Sequence, residues 1–270
     1  MKIIDAHCHI HKCQWNMFNI KKKDFFNNYL NQEHTENDIL ANMAEANIEK
    51  SIVFPYPSIA VDLEKANHYT IAISRRYPDK LIPFTIIDHK PAYWFENGVK
   101  GFKEHVYGQR LQRGPDGKDI FSQEFKDTYR YMEQHGIPLL LHAGVNRVER
   151  LKQDIFKDTP HLIVILAHLG ADFPETNNHR PQLEQIKTTL CALKDYPTLY
   201  FDISAIKEPE ILQAGLDIVG SEKLIFGSDF PFEKPLETFL LLKSLKNISA
   251  QELENILYNN IIKLLPQECK

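Results

Sequence analysis

The feature that most constrains this chain is a repeat in residue type. Short apolar runs rich in β-branched residues recur at 2–7, 50–55, 80–87, 99–105, 137–142, 161–168, 198–203 and 223–227, eight in all. Most are separated by segments with helical period and helix punctuation. Phe121, Phe125, Tyr129 and Met132 recur at spacings of three and four and stop at Gly136, a helix terminator. Similar stretches cover 39–46, 63–75, 181–193 and 209–219. The runs are apolar on both faces, as strands of a parallel sheet covered by helices must be. Eight strands alternating with helices predict an α/β protein, a (β/α)8 TIM barrel.

At 270 residues the chain has the length of one such barrel, and no low-complexity tract or linker divides it, so a single domain over 1–270 is expected. The barrel is expected to be somewhat distorted. Residues 10–37 are too long for a simple connection and carry Trp15, Phe18, Phe25, Phe26 and Tyr29, which predicts an inserted loop or lid over the catalytic end. Only residues 88–98 join the third and fourth runs, room for barely two helical turns. Ser249 with Glu252 forms a capping box that opens an extra C-terminal helix over 249–265, with Leu253, Ile256, Leu257, Ile261 and Leu264 on one face. That helix is expected to pack outside the barrel.

The net charge of −4 offers no positive field for nucleic acid or an anionic membrane. The longest clean apolar run, 162–167, has six residues against the roughly 20 that span a bilayer. The chain opens directly into a strand pattern without a signal-peptide profile, so a cytoplasmic protein is expected. Cys8, Cys13, Cys191 and Cys269 form no CxxC pair and read as reduced thiols. The partners expected are a small-molecule substrate and, at most, further copies of the chain.

Histidine, at 12 residues, is the unusual component, and several sit where apolar runs end. In His7-Cys8-His9, residues two apart on a strand share a face, so Asp5, His7 and His9 are expected on one side, with Cys8 packing on the other. The fifth run ends in His142, the sixth in His168, and the eighth delivers Asp229. In a closed parallel barrel all C-terminal strand ends lie on one rim, so these residues converge. His7, His9, His142 and Asp229 supply three neutral nitrogens and one anionic oxygen, a set suited to Zn2+ or a similar divalent ion. Such an ion acidifies bound water and polarises a carbonyl, and a carboxylate beside it can act as general base.

The motifs His7-Cys8-His9, Leu141-His142-Ala143-Gly144, Leu166-Ala167-His168-Leu169-Gly170 and Phe226-Gly227-Ser228-Asp229-Phe230-Pro231, in this order, resemble the amidohydrolase superfamily. More narrowly the chain is similar to the amidohydrolase-related branch that includes aminocarboxymuconate-semialdehyde decarboxylase and various lactone and amide hydrolases. The resemblance extends to Ile256-Leu257-Tyr258-Asn259-Asn260 and so covers essentially the whole chain. It implies that His7, His9 and His142 ligate the metal, and that Asp229 is a ligand or moves a proton. It also implies that His168 holds a second metal or polarises the substrate.

The fourth run places Lys103 and His105 on one face and Glu104 on the other. Lys103 has three readings: a carboxylated bridge between two metals, a free ammonium for a substrate carboxylate, or a structural ion pair. Glu104 ranks below it as a bridge, and the metal count, one or two, stays open. Tyr107, Gln109, Arg110, His179 and Arg180 lie in loops beside the rim and are candidate substrate contacts, with His11, Trp15 and His89 of the same standing. Asp202 and Ser204 are candidate supports, while His34, His68, His135 and His161 read as ordinary surface or capping residues. The expected activity is metal-dependent hydrolysis of an amide or lactone; the alternative is metal-dependent decarboxylation of an unsaturated or aromatic acid. A catalytically silent binding protein is disfavoured by the complete metal set, and a phosphoesterase with paired histidines fails at Gly227-Ser228-Asp229-Phe230-Pro231.

Overall fold

The computed structural model describes residues 1–17, 29–58, 60–105, 120–171 and 182–266. The eight predicted runs become eight strands: β1 (Ile4–Ile10), β2 (Lys50–Pro55), β3 (Leu81–Ile86), β4 (Gly101–His105), β5 (Leu139–His142), β6 (Val164–Leu166), β7 (Leu199–Asp202) and β8 (Leu224–Ile225). They lie in sequence order, each parallel to the next. Ala6 N donates to Phe226 O at 3.0 Å and His9 N to Phe230 O at 2.8 Å, which joins the last strand segment to the first and completes a (β/α)8 barrel.

Ile4, Ala6, Ile52, Phe54, Ile82, Phe84, Leu140, Ile165 and Ile225 fill the barrel interior. Gly101 is required there. A Cβ at this position would meet the Phe84 ring at 2.3 Å, so a side chain on β4 would displace the ring that plugs the centre. The outer faces pack under the helices Glu36–Glu45, Leu63–Arg76, Lys126–Gln134, Leu183–Leu193, Pro209–Val219 and Pro235–Lys243. As the short connection predicts, β3 and β4 are joined through a six-residue helix, Pro91–Glu96. No helix among the described residues is long and apolar enough to cross a membrane.

Two placements differ from expectation. Strict alternation would put Asp5, His7 and His9 on one face, but the β1–β2 register shifts between Asp5 and Cys8, so two residues of β1 face one of β2. Ala6 and His7 therefore both point inward, His9 follows, and Asp5 and Cys8 are left on the outer face. The C-terminal segment opens with the predicted Ser249–Glu252 capping box. It does not lie wholly outside, because Ile261 and Leu264 pack into the interior core with Ile4 and Ile82, closing the N-terminal mouth of the barrel. That mouth would otherwise expose the interior apolar side chains to water.

In the expected lid, the strand runs on to Ile10, and the helix Glu36–Glu45 follows the segment, with Thr35 and Asp38 forming its capping box. His11 and His34 exchange backbone hydrogen bonds of 2.9 Å in each direction, pinning the two ends of the segment together. Trp15 is buried in the short helix Cys13–Trp15, while Phe18, Phe25 and Phe26 lie outside the described residues.

Candidate active site

The bulge in β1 delivers His7 and His9 into the barrel at its C-terminal end, both buried. Across the closure, the backbone leaves β8 through Gly227, where a Cβ would stand 2.9 Å from His7 Cβ, so only glycine permits this approach. Asp229 follows in a left-handed conformation, φ 72°, and its N–H donates to His7 O at 2.9 Å. Aspartate tolerates this region better than most residues. The result is a carboxylate whose Oδ1 stands 3.2 Å from His7 Nε2 and 3.2 Å from His9 Nε2.

These three atoms fit a divalent cation. Ligands about 2.1 Å from a tetrahedral ion stand about 3.4 Å from one another. His7 Nε2 is buried and makes no hydrogen bond. Its other nitrogen lies 2.8 Å from Asp202 Oδ2, the carboxylate–histidine arrangement that supports metal-ligating imidazoles. His7, His168 and Asp202 form a second close cluster. His142 belongs to neither three-residue cluster. It faces His105 in the β4–β5 register, with its ring centroid 4.1 Å from that of His105 and 4.4 Å from that of His168. The expected ligands thus share one rim, with His142 set beside His168 and His105.

His168 and Leu169 are also left-handed, at φ 56° and 55°. Such strain in non-glycine residues persists where the surroundings enforce it. Here His168 N donates to Asp202 Oδ1 at 3.0 Å, and His168 Nδ1 sits 2.8 Å from Ser204 Oγ and 3.1 Å from Ser204 O. Asp202 and Ser204, only candidate supports in the sequence, therefore hold two site histidines at once.

Lys103 is wholly buried inside the barrel, its Nζ without a hydrogen-bond partner and 5.5 Å from the centre of the Phe54 ring. It forms no ion pair among the described residues, so the structural ion-pair reading finds no partner there. Burial lowers its pKa to about 8 against the opposing pull of Asp202, Asp229 and Glu104. Glu104 faces away, as alternation predicts, with its carboxylate accepting from His105 N at 2.7 Å. Burial raises its pKa to about 8.

Burial also sets the remaining charge states. It pushes His9, His105 and His142 well below the usual imidazole range and His168 to about 4, so the rings are neutral near pH 7. It raises Asp229 above the usual carboxylate range. Burial opposes ionisation of Asp202 too, yet contacts with His7, His168 and Ser204 hold it below that range.

Sequence reasoning missed the aromatic wall at the mouth. Tyr29 stacks on Phe232 with centroids 4.8 Å apart and lies 4.9 Å from Tyr56, which in turn lies 5.2 Å from His9. His34, expected on the surface, stacks on Tyr29 at 4.8 Å. The signal was the pairing of His11 with His34, invisible without the fold. His11 is buried, with Nε2 3.1 Å from Leu30 O, and Trp15 lies beside it at 5.8 Å between ring centroids. His89 is exposed against Phe125. Tyr107, Gln109, Arg110, His179 and Arg180 lie outside the described residues.

A 2-amino-3-carboxymuconate-6-semialdehyde decarboxylase from Caenorhabditis elegans is 27% identical over 113 residues, 39% of this chain and 28% of that protein. The matched stretch thus spans under a third of the relative. Among solved structures, a 2,6-dihydroxybenzoate decarboxylase from Rhizobium superposes with TM-score 0.71 at 15% identity, covering 98% of each chain. An amidohydrolase from Burkholderia multivorans with bound zinc gives TM-score 0.76 at 14% identity, covering 98% of this chain and 99% of that one. These likenesses share the barrel. A family model described as amidohydrolase matches residues 4–267, from the first residue of β1 past the helix that seals the barrel, and on that match the chain belongs to the amidohydrolase family.

Proposed function

We propose that the chain is a metal-dependent decarboxylase of a small unsaturated or aromatic carboxylic acid. The observation that carries this reading is Lys103: a buried cation whose Nζ makes no hydrogen bond among the described residues, placed inside the barrel among the site histidines. Asp202, Asp229 and Glu104 act on this ammonium without bonding to it, and a substrate carboxylate supplies the direct acceptor. The decarboxylase relative supports the same reaction class.

His7, His9 and Asp229 would hold the ion, with His142 or His168 completing the set, and zinc suits the two nitrogens and one carboxylate oxygen. Such an ion supplies Lewis-acid polarisation of a substrate oxygen. The chain's own residues do the rest. Lys103 orients the acid. The Tyr29, Tyr56 and Phe232 wall suits a planar substrate and keeps water from it, which leaves the carboxylate poorly solvated and eases loss of carbon dioxide. When the carbon–carbon bond breaks, its electron pair stays on the substrate carbon and a proton must reach that carbon. Asp229 can pass that proton through the oxygen not paired with His7 and His9, with His168 the other candidate once its Nε2 has taken up a proton.

Hydrolysis of an amide or lactone uses the same ion and the same Asp229, and the zinc-containing amidohydrolase of like fold keeps it as the second reading. One experiment separates them. The zinc-loaded protein is offered 2,6-dihydroxybenzoate, other aromatic and unsaturated acids, and a lactone panel, with carbon dioxide and ring opening read in parallel. Carbon dioxide release without ring opening is expected; ring opening alone would overturn the proposal.

A further inference from the structure

The network behind the site assigns a separate task to a residue that bonds to two site histidines at once. Asp202 lies at the end of β7, wholly buried, and its two oxygens have different clients. Oδ1 accepts from His168 N at 3.0 Å, from Ser204 N at 3.0 Å and from the Ser204 hydroxyl. Among the described residues Oδ2 meets the His7 ring, 2.8 Å from Nδ1, and Ser204 Oγ stands 3.2 Å from the same nitrogen. An ionised carboxylate donates nothing, so the hydrogen of this contact must sit on His7 Nδ1. The lone pair is then on Nε2, the nitrogen that points toward His9 and Asp229.

His168 is fixed by a different acceptor. Its Nδ1 lies 3.1 Å from Ser204 O, a carbonyl that can only accept, and 2.8 Å from Ser204 Oγ. The Ser204 hydroxyl hydrogen is committed to Asp202, so Oγ too receives the imidazole hydrogen.

We propose that Asp202 is a positioning residue that sets the tautomer of His7, while Ser204 sets that of His168, so that both rings present an Nε2 lone pair to the site. The inference rests on His7 being a metal ligand and not on which reaction follows. It makes an asymmetric prediction. In Asp202→Asn, two backbone N–H groups and the Ser204 hydroxyl still demand an acceptor at the Oδ1 position, so the amide oxygen stays there and the NH2 group turns to His7. An NH2 group cannot face an N–H. Ser204 Oγ, 3.2 Å from His7 Nδ1, is already engaged by His168 at 2.8 Å, so His7 is expected to move its hydrogen to Nε2, which removes the lone pair from the ion's side, while His168 keeps its tautomer through Ser204.

The test uses the full-length, zinc-free protein at pH 8, where the rings are neutral. Long-range nitrogen–proton spectra of the imidazoles, assigned by substitution, distinguish the protonated from the unprotonated nitrogen. Wild type should show the hydrogen on Nδ1 in both His7 and His168. Asp202→Asn should move it to Nε2 in His7 alone and weaken zinc binding about 10- to 100-fold. Ser204→Ala removes the Oγ that stands 3.2 Å from His7 Nδ1 but keeps Asp202 Oδ2, 2.8 Å from the same nitrogen, so the His7 hydrogen should stay on Nδ1. A wild-type His7 protonated on Nε2, or an Asp202→Asn protein with His7 still protonated on Nδ1, overturns the proposal. If Asp202→Asn does not fold, the wild-type spectrum alone decides. Absence of carbon dioxide release by the wild type would count against the reaction and leave the tautomer result standing.

Discussion

Ser228 donates two hydrogen bonds to the Asp5 carboxylate, from its backbone N–H at 2.9 Å and from its hydroxyl at 2.7 Å. Asp5 also accepts from His7 N at 3.1 Å. One buried carboxylate on the outer face of β1 therefore clamps the β8 exit segment, and the residue after the clamp is Asp229. The Ser228 hydroxyl in turn accepts from Phe230 N at 3.0 Å. Ser228→Ala deletes one bond and orphans a buried N–H, so it should cost about 1–3 kcal/mol, seen as a lower urea midpoint with unchanged slope. It should also weaken zinc binding, because Asp229 loses its anchor. Wild-type values for both would show that the clamp sets nothing.

Lys103→Met should raise stability and lower anion affinity together. A lysine whose folded pKa is lowered to about 8 from about 10.5 destabilises the folded state fully below pH 8, and that penalty fades as pH rises to about 10.5. The variant should therefore gain about 1–3 kcal/mol in urea unfolding at pH 7, with the gain shrinking toward pH 10. Binding of 2,6-dihydroxybenzoate to the zinc-loaded protein, followed by calorimetry, should weaken about 10-fold or more, since hydrogen bonds to charged groups contribute about 1.5–3 kcal/mol. A carboxylated Lys103 predicts the reverse: loss of metal, loss of stability, and the mass of one carbon dioxide on the intact wild-type chain.

The strand ends were legible because each candidate ligand closes an apolar run, and a parallel barrel gathers such ends whatever their distance in sequence. His142, His168 and Asp229 needed no more than that. Asp5 was misplaced because a bulge adds one residue without any mark in Asp5-Ala6-His7, and the phase of every later side chain depends on it. The C-terminal helix was recognised from Ser249 and Glu252, but an apolar stripe states that Ile261 and Leu264 are buried, not what buries them. Asp202 and Ser204 could not be ranked because their value lies in which donors surround them. Tyr29 reaches the mouth only through the pairing of His11 with His34.

The metal-free protein should lose stability on mild acidification. Burial pushes His11 and His168 down to about 4, and His9, His105 and His142 lower still than the usual range. The unfolded chain takes up protons on these rings near pH 6.5 and the folded chain does not, so stability falls as pH drops from about 6.5 toward 4. Asp5, raised by burial to about 6, Glu104, raised to about 8, and Asp229, also raised, work in the opposite direction, three carboxyls against the five rings. Urea midpoints at pH 8 and pH 5 test the sign. Equal midpoints would mean that the rings are hydrated or already charged in the folded state.

Asp229 carries the sharpest prediction. Its left-handed backbone at φ 72° is one that asparagine also adopts readily, so Asp229→Asn should fold as wild type. The substitution keeps one oxygen that can face His7 and His9, each 3.2 Å away, so zinc binding should weaken but remain measurable. What disappears is the carboxylate's second oxygen as an acid–base group beside the ion site. A positioned acid–base group contributes about 10²- to 10⁴-fold, so at saturating zinc, carbon dioxide release should fall at least 10²-fold. The outcome separates two assignments. A loss that persists when zinc is saturating places the proton transfer on Asp229, whereas turnover equal to wild type removes it from that role and leaves His168, held by Ser204 on the opposite side of His7, as the ring whose Nε2 would have to take up the proton before passing it on.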